Sequence, residues 1–536
     1  GKNNIAVLLG HENYSTKITD LYARAQNMLL PSNTELSGCI TATNNGSSIT
    51  RYNNEGWLSR VNYDYDGKYF GSASFRRDAS SRFHPDHRWG NFWSVGGAWI
   101  ISKENFLADQ TWIDMLKIKA SYGEQGNDNI GNYLYTNRYS IINSDGQPAA
   151  QPSTVMGNPE ITWEKGGNFN AGVDFSFFGE RLTGTFEGFI RKTSDMLFTR
   201  PLPLSFGYRS QYCNVGDMTN KGVELELRGD FVRTKDITVG MSFNLTHYKN
   251  KITRLIDSSK STDCDGVMGY GNGMFFFGEG ESLYTYRMAS YAGVDPETGM
   301  PQYWKTQNVL DDKGNPVLDA NGKNVTEQVL TTNYSDLQTT DYHLHGTALP
   351  KVYGGFGIYA NLYGFDISAD FTYQLGGKIY DSAYSQLMSP PTQTSQTSFH
   401  KDILDAWTPI FGTDDAGQRV VTGHTGSQPR FVYGDQNFTR TSSRFLISSN
   451  YLSLQAINVG YTLPKNITKK MYLDKVRVYF SADNVALWSK RKGLDPRTGL
   501  AQGYTNGVRD QHITGSSQNG YYSPIRTLSG GINVTF

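Results

Sequence analysis

At 536 residues the chain far exceeds the roughly 100–200 of an ordinary soluble domain, so it is either several domains or one large repetitive architecture. Fifty basic residues balance fifty acidic ones, which excludes a nucleic-acid binder and a polybasic membrane-surface protein. Aromatic residues reach 13% and glycines number 57 while charged residues are only 19%, a mixture suited to a large β-structure with one wet face.

In chain order, Gly1-Lys2-Asn3-Asn4 leads straight into Ile5-Ala6-Val7-Leu8-Leu9, as if the sequence opened inside a strand. The cysteines Cys39, Cys213 and Cys264 are odd in number and far apart, so neither a disulfide framework nor a cysteine metal site follows. Apolar runs such as Trp99-Ile100-Ile101 fall far short of the roughly 18 residues of a spanning helix. Val223, Leu225 and Leu227 alternate with Glu224, Glu226 and Arg228. Ile237, Val239, Met241, Phe243 and Leu245 alternate with Thr238, Gly240, Ser242, Asn244 and Thr246. The same period of two runs from Phe365 to Leu375 and from Lys475 to Ala482. It returns in the last segment, where Leu528, Gly530, Ile532, Val534 and the terminal Phe536 interleave with Thr527, Ser529, Gly531, Asn533 and Thr535.

Successive side chains of a strand face opposite ways, so each segment has an oily and a wet face. The segments last about 10–13 residues where soluble strands last about 5–6, which is the length that crosses a membrane at a tilt. Some connections are tight: Asp66-Gly67, Phe178-Gly179-Glu180 and Tyr363-Gly364. Others are long and polar: Lys249 to Leu283, Thr306 to Pro350, Gly376 to Arg444 and Asn484 to Pro524. Short turns on one side and long loops on the other is the habit of outer-membrane barrels. The expected fold is therefore all-β, a transmembrane antiparallel barrel with about sixteen strands in this chain, short periplasmic turns and long extracellular loops. A sandwich would hide its oily face against a second sheet, and propeller blades repeat at about 40–45 residues, a period not seen here.

Several stretches, in order along nearly the whole chain, carry a family resemblance. They are RFHPDHRWGNFWSVGGAWIISKENF from Arg82, LKIKASYGEQGN from Leu116, NPEITWEK from Asn158 and VGDMTNKGVELEL from Val215. GVDPETG from Gly293 is echoed by GLDPRTG from Gly493; YQLGGKIYD follows from Tyr373, NYLSLQAINVGYTLP from Asn450 and VRVYFSADNV from Val476. Together these resemble the SusC-like branch of the TonB-dependent transporters. Ala79, where the family usually has Gly, and Trp93, where Pro is common, are departures confined to local turn chemistry. The resemblance implies a signal peptide, a carboxypeptidase-like extension, a TonB box and a plug domain before a 22-stranded barrel, none of them within this chain. Residues 1–536 are then expected to be the C-terminal portion of that barrel, strands seven to twenty-two.

Motifs that could carry chemistry have plainer readings. Asp295-Pro296-Glu297-Thr298-Gly299 and Asp495-Pro496-Arg497-Thr498-Gly499 read as turns, because a calcium loop needs oxygens at alternate positions ending in a bidentate Glu. His343 and His345 could share one face as a metal pair, yet no third ligand is evident; His84 and His87 carry the same discount. Glu224 and Glu226 shape a polar lumen rather than do acid–base work. No catalytic residue, metal or cofactor is expected, and the chain is not expected to be an enzyme. The loop aromatics Tyr270, Phe275, Phe276, Phe277, Trp304 and Trp407 are candidates for substrate contact, since sugars and peptides bind aromatic faces rimmed by amides and hydroxyls. The alternatives are that Phe275–Phe277 sit in a membrane girdle or loop core and that Trp407 caps a helical turn within Lys401 to Trp407.

The resemblance implies an outer-membrane active transporter of a Bacteroidetes-type bacterium that imports an oligosaccharide or a peptide. It also implies a SusD-like surface lipoprotein as a lid and a TonB complex acting through the plug. The rival reading is a complete sixteen-stranded passive porin.

Overall fold

The computed structural model describes residues 1–257, 260–320, 322–391, 398–435, 437–500, 502–505, 508–513 and 524–536. Parts of all four expected long loops, residues 258–259, 321, 392–397 with 436, and 501, 506–507 and 514–523, thus lie outside the described residues. The chain divides into two compact units, one of Gly1–Phe175 with Glu187–Asn220 and one of Ser176–Phe186 with Lys221–Phe536.

The principal sheet has fourteen strands, hydrogen-bonded in chain order. They are β1 (Asn3–Met28), β2 (Cys39–Tyr65), β3 (Tyr69–Ser80), β4 (Trp89–Ile100), β5 (Ile113–Asn127), β6 (Glu164–Phe177) and β7 (Leu182–Ser194). Then follow β8 (Gly216–Arg233), β9 (Ile237–Leu255), β10 (Val352–Leu362), β11 (Phe365–Leu375), β12 (Tyr451–Thr462), β13 (Lys475–Ser489) and β14 (Thr527–Thr535).

In the first unit the register assembles two opposed rows. Val7 pairs with Val61, Val61 with Ala73, Ala73 with Val95 and Val95 with Tyr122. One residue along, Ala6 meets Asn62, then Ser72, Gly96 and Ser121. The second unit repeats the arrangement. Met241, Ile358, Ala369, Ile457, Ala482 and Leu528 form an apolar row, and Gly240, Tyr359, Ser368, Asn458, Ser481 and Ser529 form the adjacent polar one. On the apolar faces Phe75 is 46% exposed, Val95 48% and Ile358 51%, a burial pattern inverted from that of a water-soluble sheet.

Tight and long connections alternate as expected. Residues 66–68, 178–181, 234–236 and 363–364 are tight, whereas residues 256–351 and 376–450 are long excursions. Tyr363 and Gly364 have φ of +49° and +94°, the paired positive values of a two-residue hairpin turn whose twist matches its strands.

The count of about sixteen wall strands falls to fourteen among the described residues. The stretch between Leu283 and Thr306, left between two of the expected loops, does not join the wall. Its strand Thr285–Ala289 pairs instead with Tyr342–Thr347, Tyr291–Val294 with Pro301–Asn308, and Pro301–Asn308 with Thr326–Thr331, in small loop sheets. Alternation and a tight turn look alike in a wall and in a loop hairpin; length separates them, and these strands have only four to eight residues.

Substituting Gly364 by Val forces a β-branched side chain into the left-handed region, and its Cβ would meet the Thr462 carbonyl oxygen at 2.8 Å. The expected cost is about 1–3 kcal/mol in an unfolding titration. Gly71→Ala, whose added Cβ meets nothing within 4 Å, should stay within about 0.5 kcal/mol of the parent.

Candidate functional site

The polar face of the first unit is the surface on which a solute could be handled. Alternate residues of β2 place Arg60, Asn62 and Asp64 side by side, while Ser72, Gly96, Ala98 and Ser121 keep the floor between them shallow. With Lys119, Asn170 and Glu187 they enclose a hollow of about 810 Å³. Lys119 Nζ lies 2.9 Å from Asp174 Oδ1 and 3.3 Å from Glu187 Oε2, and Lys117 Nζ lies 3.5 Å from Asp174 Oδ2. These pairs are partly hydrated, so they organise a bipolar surface more than they stabilise the fold.

A second hollow of about 650 Å³ is lined by Arg76, Asp78, Ser94, Glu124, Gln125 and Trp163 among others. Arg76 Nε donates to both oxygens of Asp78 at 2.7 and 2.8 Å, and its Nη2 donates to Glu12 at 2.9 Å. Beside it the loops of this unit close over their own core of Phe83, Phe92, Ile130, Leu134, Ile161, Trp163 and Leu197. The Trp163 indole N–H donates to the Arg88 carbonyl at 2.8 Å, and Asn214 Nδ2 donates to the carbonyls of Thr162 and Asp195, so three connections are tied together.

The loops of the second unit also have a core, and it takes up most of the aromatics proposed as substrate contacts. Tyr270, Phe275, Phe276, Phe277 and Trp407 are buried, and of the six only Trp304 is exposed, at 39%. Tyr270 stacks on Phe277 with centroids 5.2 Å apart, and Phe275 meets Tyr286 at 5.1 Å. Trp407 lies over the Asp295–Gly299 turn, its indole N–H donating to the Pro296 carbonyl at 3.1 Å. The loop-core alternative thus describes Phe275–Phe277. The helical turn before Trp407, Lys401–Asp405, is capped by His400, whose side chain accepts from the Asp402 N–H.

The other singled-out motifs are structural. Asp295 accepts from the Glu297 N–H at 3.1 Å, and Gly299 closes the turn at φ +74°. Asp495 instead precedes a 3₁₀ turn, Pro496–Leu500, and holds Arg497 through both carboxylate oxygens at 2.8 and 2.7 Å. His343 Nδ1 pairs with Asp265 Oδ1 at 2.6 Å, whereas His345 Nε2 lies 3.2 Å from Ser290 Oγ, so the two histidines do not converge. His84 and His87 face Asp86 and Glu160. Among the described residues no cluster of three or more His, Cys, Asp or Glu could hold a metal.

Sequence reasoning missed the centre of the second unit's loop core. The Arg444 guanidinium lies 4.4 Å from the Phe438 ring, 4.9 Å from Phe445 and 5.5 Å from Tyr291, and donates to the Phe438 carbonyl and to Gln428. Burial holds its pKa below the ordinary arginine value, against the nearby tyrosines, which favour the charge. The only trace in the sequence is the density of Tyr and Phe over residues 284–303 and 431–445, too far apart to suggest contact.

Comparison with known proteins gives a consistent result. The family described as "TonB dependent receptor-like, beta-barrel" matches residues 7–276. TonB-dependent receptor P3 of Formosa agariphila is 27% identical over 552 residues, covering 100% of this chain and 51% of that protein. TonB-dependent receptor SusC of Bacteroides thetaiotaomicron is 27% identical, with 82% of this chain and 41% of SusC covered. Among solved structures, a chain of the RagAB peptide transporter superposes with a TM-score of 0.79 at 26% identity, covering 100% of this chain and 54% of its own. The chain thus spans about half the length of the relatives it matches.

Acid should loosen the five-stranded loop sheet around His345. Burial, then Lys378 and His343, hold its pKa below 6.5 despite the Met288 carbonyl and Asp265, so unfolding takes up a proton as pH drops under that value. For Asp265 burial pulls upward, but the Leu344 N–H, His343 and His345 outweigh it and leave the carboxyl lowered. Its contribution is complete above the ordinary carboxylate value and is lost as pH falls through the folded one. Amide hydrogen exchange over residues 262–347, corrected for intrinsic rates, should therefore quicken on going from neutral to pH 5 and again below 4. His345→Gln should remove the first step alone.

Proposed function

The chain belongs to the TonB dependent receptor-like β-barrel family, an outer-membrane family, and from that membership we propose that it forms the C-terminal portion of the wall of an active importer. One observation carries the reading: two residue rows of opposite character, in register across the strands of each unit, one for lipid and one for water. A closed ladder leaves no backbone group unpaired in hydrocarbon, while its polar side offers solutes a hydrated path. A passive porin would use the same wall, but the match over residues 7–276 to a TonB-dependent family favours driven import.

The driving force would come from a TonB complex acting through a plug outside this chain, with a SusD-like surface lipoprotein covering the loops. The cargo we propose is an oligosaccharide, as the SusC-like resemblance suggests. A peptide is favoured by one further observation: the likeness to the RagAB peptide transporter coincides with a lumen hollow that sets Arg60 and Lys119 against Asp64 and Glu187. Both signs lining one hollow suit a chain bearing ammonium and carboxylate groups. Of the loop aromatics, Trp304 is the proposed substrate contact. Tyr270, Phe275, Phe276, Phe277 and Trp407 could serve only after leaving their present packing.

Uptake of labelled oligosaccharides and of labelled peptides, measured in cells with and without TonB, tests the reading. Import should fall to background in the TonB deletion for one cargo class. Undiminished uptake of both would overturn active transport and restore the porin.

A further inference from the structure

The connections on the periplasmic side are nearly neutral except for one. Residues 66–68 carry Asp66 and Lys68, residues 178–181 Glu180 and Arg181, residues 234–236 Lys235 and Asp236, and residues 363–364 no charge. Residues 101–112 carry Lys103 against Glu104 and Asp109. Residues 463–474, by contrast, bear Lys465, Lys469 and Lys470 against Asp474 alone, with Lys475 immediately after. These lysines are exposed and no ion pair engages them among the described residues.

The connection is not a loose loop. Pro464 opens the helical turn Lys465–Thr468, and the Ile467 N–H donates to the Pro464 carbonyl at 2.9 Å. A 3₁₀ turn, Lys469–Met471, continues it, and the Leu473 N–H returns to the Thr468 carbonyl at 3.0 Å. Thr468 is 1% exposed and anchors the turn against its own unit. Tyr472 ends the turn in the left-handed conformation at φ +57° and is 93% exposed; Ile467 is also exposed. At the same end of this unit's wall, Tyr363 and Phe365 lie exposed and Phe365 packs on Tyr461 with centroids 4.4 Å apart.

Cationic heads beside an exposed tyrosine and an aliphatic side chain, at the level of an aromatic belt, have the composition of a membrane-interface anchor. We propose that Lys465, Lys469 and Lys470, with Tyr472 and Ile467, bind the phosphate headgroups of anionic phospholipids in the periplasmic leaflet. The ammonium groups meet phosphate oxygens as the tyrosine ring rests among the glycerol backbones and its hydroxyl stays wet. The site depends on outer-membrane residence and not on import, so it can fail or hold whatever the cargo.

The test uses the full-length protein extracted from its native membrane and exchanged into a defined mixture of phosphatidylethanolamine, phosphatidylglycerol and cardiolipin. Retained lipid is counted by native mass spectrometry. Lys465→Gln/Lys469→Gln/Lys470→Gln should lower retention of the two anionic lipids about tenfold or more and leave phosphatidylethanolamine unchanged. Lys103→Gln, in another turn, should change neither. Anionic retention equal to the parent's in the triple variant would overturn the proposal. So would complete displacement of lipid by inorganic phosphate, which would indicate a free-anion site, or an acidic periplasmic protein occupying the parent's turn in place of lipid.

Discussion

The constraint beneath everything else is that a strand's side chains alternate strictly between two sides while its backbone must hydrogen-bond to both neighbours. In hydrocarbon an unpaired peptide group costs several kcal/mol, so register cannot drift to suit a stray side chain. A slip of one residue anywhere along the row from Val7 to Tyr122 would turn Asn62, Ser72 and Ser121 toward lipid and bury the valines in water. Fixing that row therefore fixes the inner surface too. The positions of Arg60, Asp64 and Lys119 follow from where Val61, Ala73 and Val95 must lie.

Where the wall ends, that discipline lapses and ordinary globular packing takes over. The long connections hide Phe276, Tyr286, Tyr303 and Phe445 as a soluble protein would. They compensate buried polar atoms individually: Tyr303 Oη donates to the Asn437 carbonyl at 2.7 Å, and Tyr286 Oη donates to the Lys378 carbonyl at 3.2 Å. Two folding regimes thus coexist in one chain. A side chain's fate depends on which regime it enters more than on its hydropathy: Phe75 is exposed because it sits on the wall, and Phe276 is buried because it sits in a loop.

That division also explains what could be read without coordinates. Period two is a local property, so the wall segments around Met241, Ala369 and Val478 are legible from a window of ten residues, as are the hairpins at Asp66-Gly67 and Tyr363-Gly364. The loop cores are not local. Trp407 meets Pro296 and Tyr334 Oη donates to the Thr441 carbonyl across more than a hundred residues each, and no periodicity announces such pairings. Hence five of the six loop aromatics singled out for substrate contact lie buried in loop packing, and Arg444, which the other rings Tyr291, Phe438 and Phe445 surround, went unnoticed. The hollow around Lys119 was legible only in outline: a wet face was evident, but its pairing with Asp174 and Glu187 needed the register of neighbouring strands.

The excursion of residues 256–351 leaves β9 and re-enters at β10, where His247 and Val352 are directly paired. β9 runs on past that rung to Leu255, and the excursion shares its interior with residues 376–450: Tyr286 Oη donates to the Lys378 carbonyl, Tyr303 Oη to the Asn437 carbonyl, and Trp407 lies against Pro296. The two long connections therefore behave as one exchangeable unit. Evolution or an engineer would have to replace them together, and surface recognition could then diversify while the rungs beneath keep their partners and their contact with the bilayer.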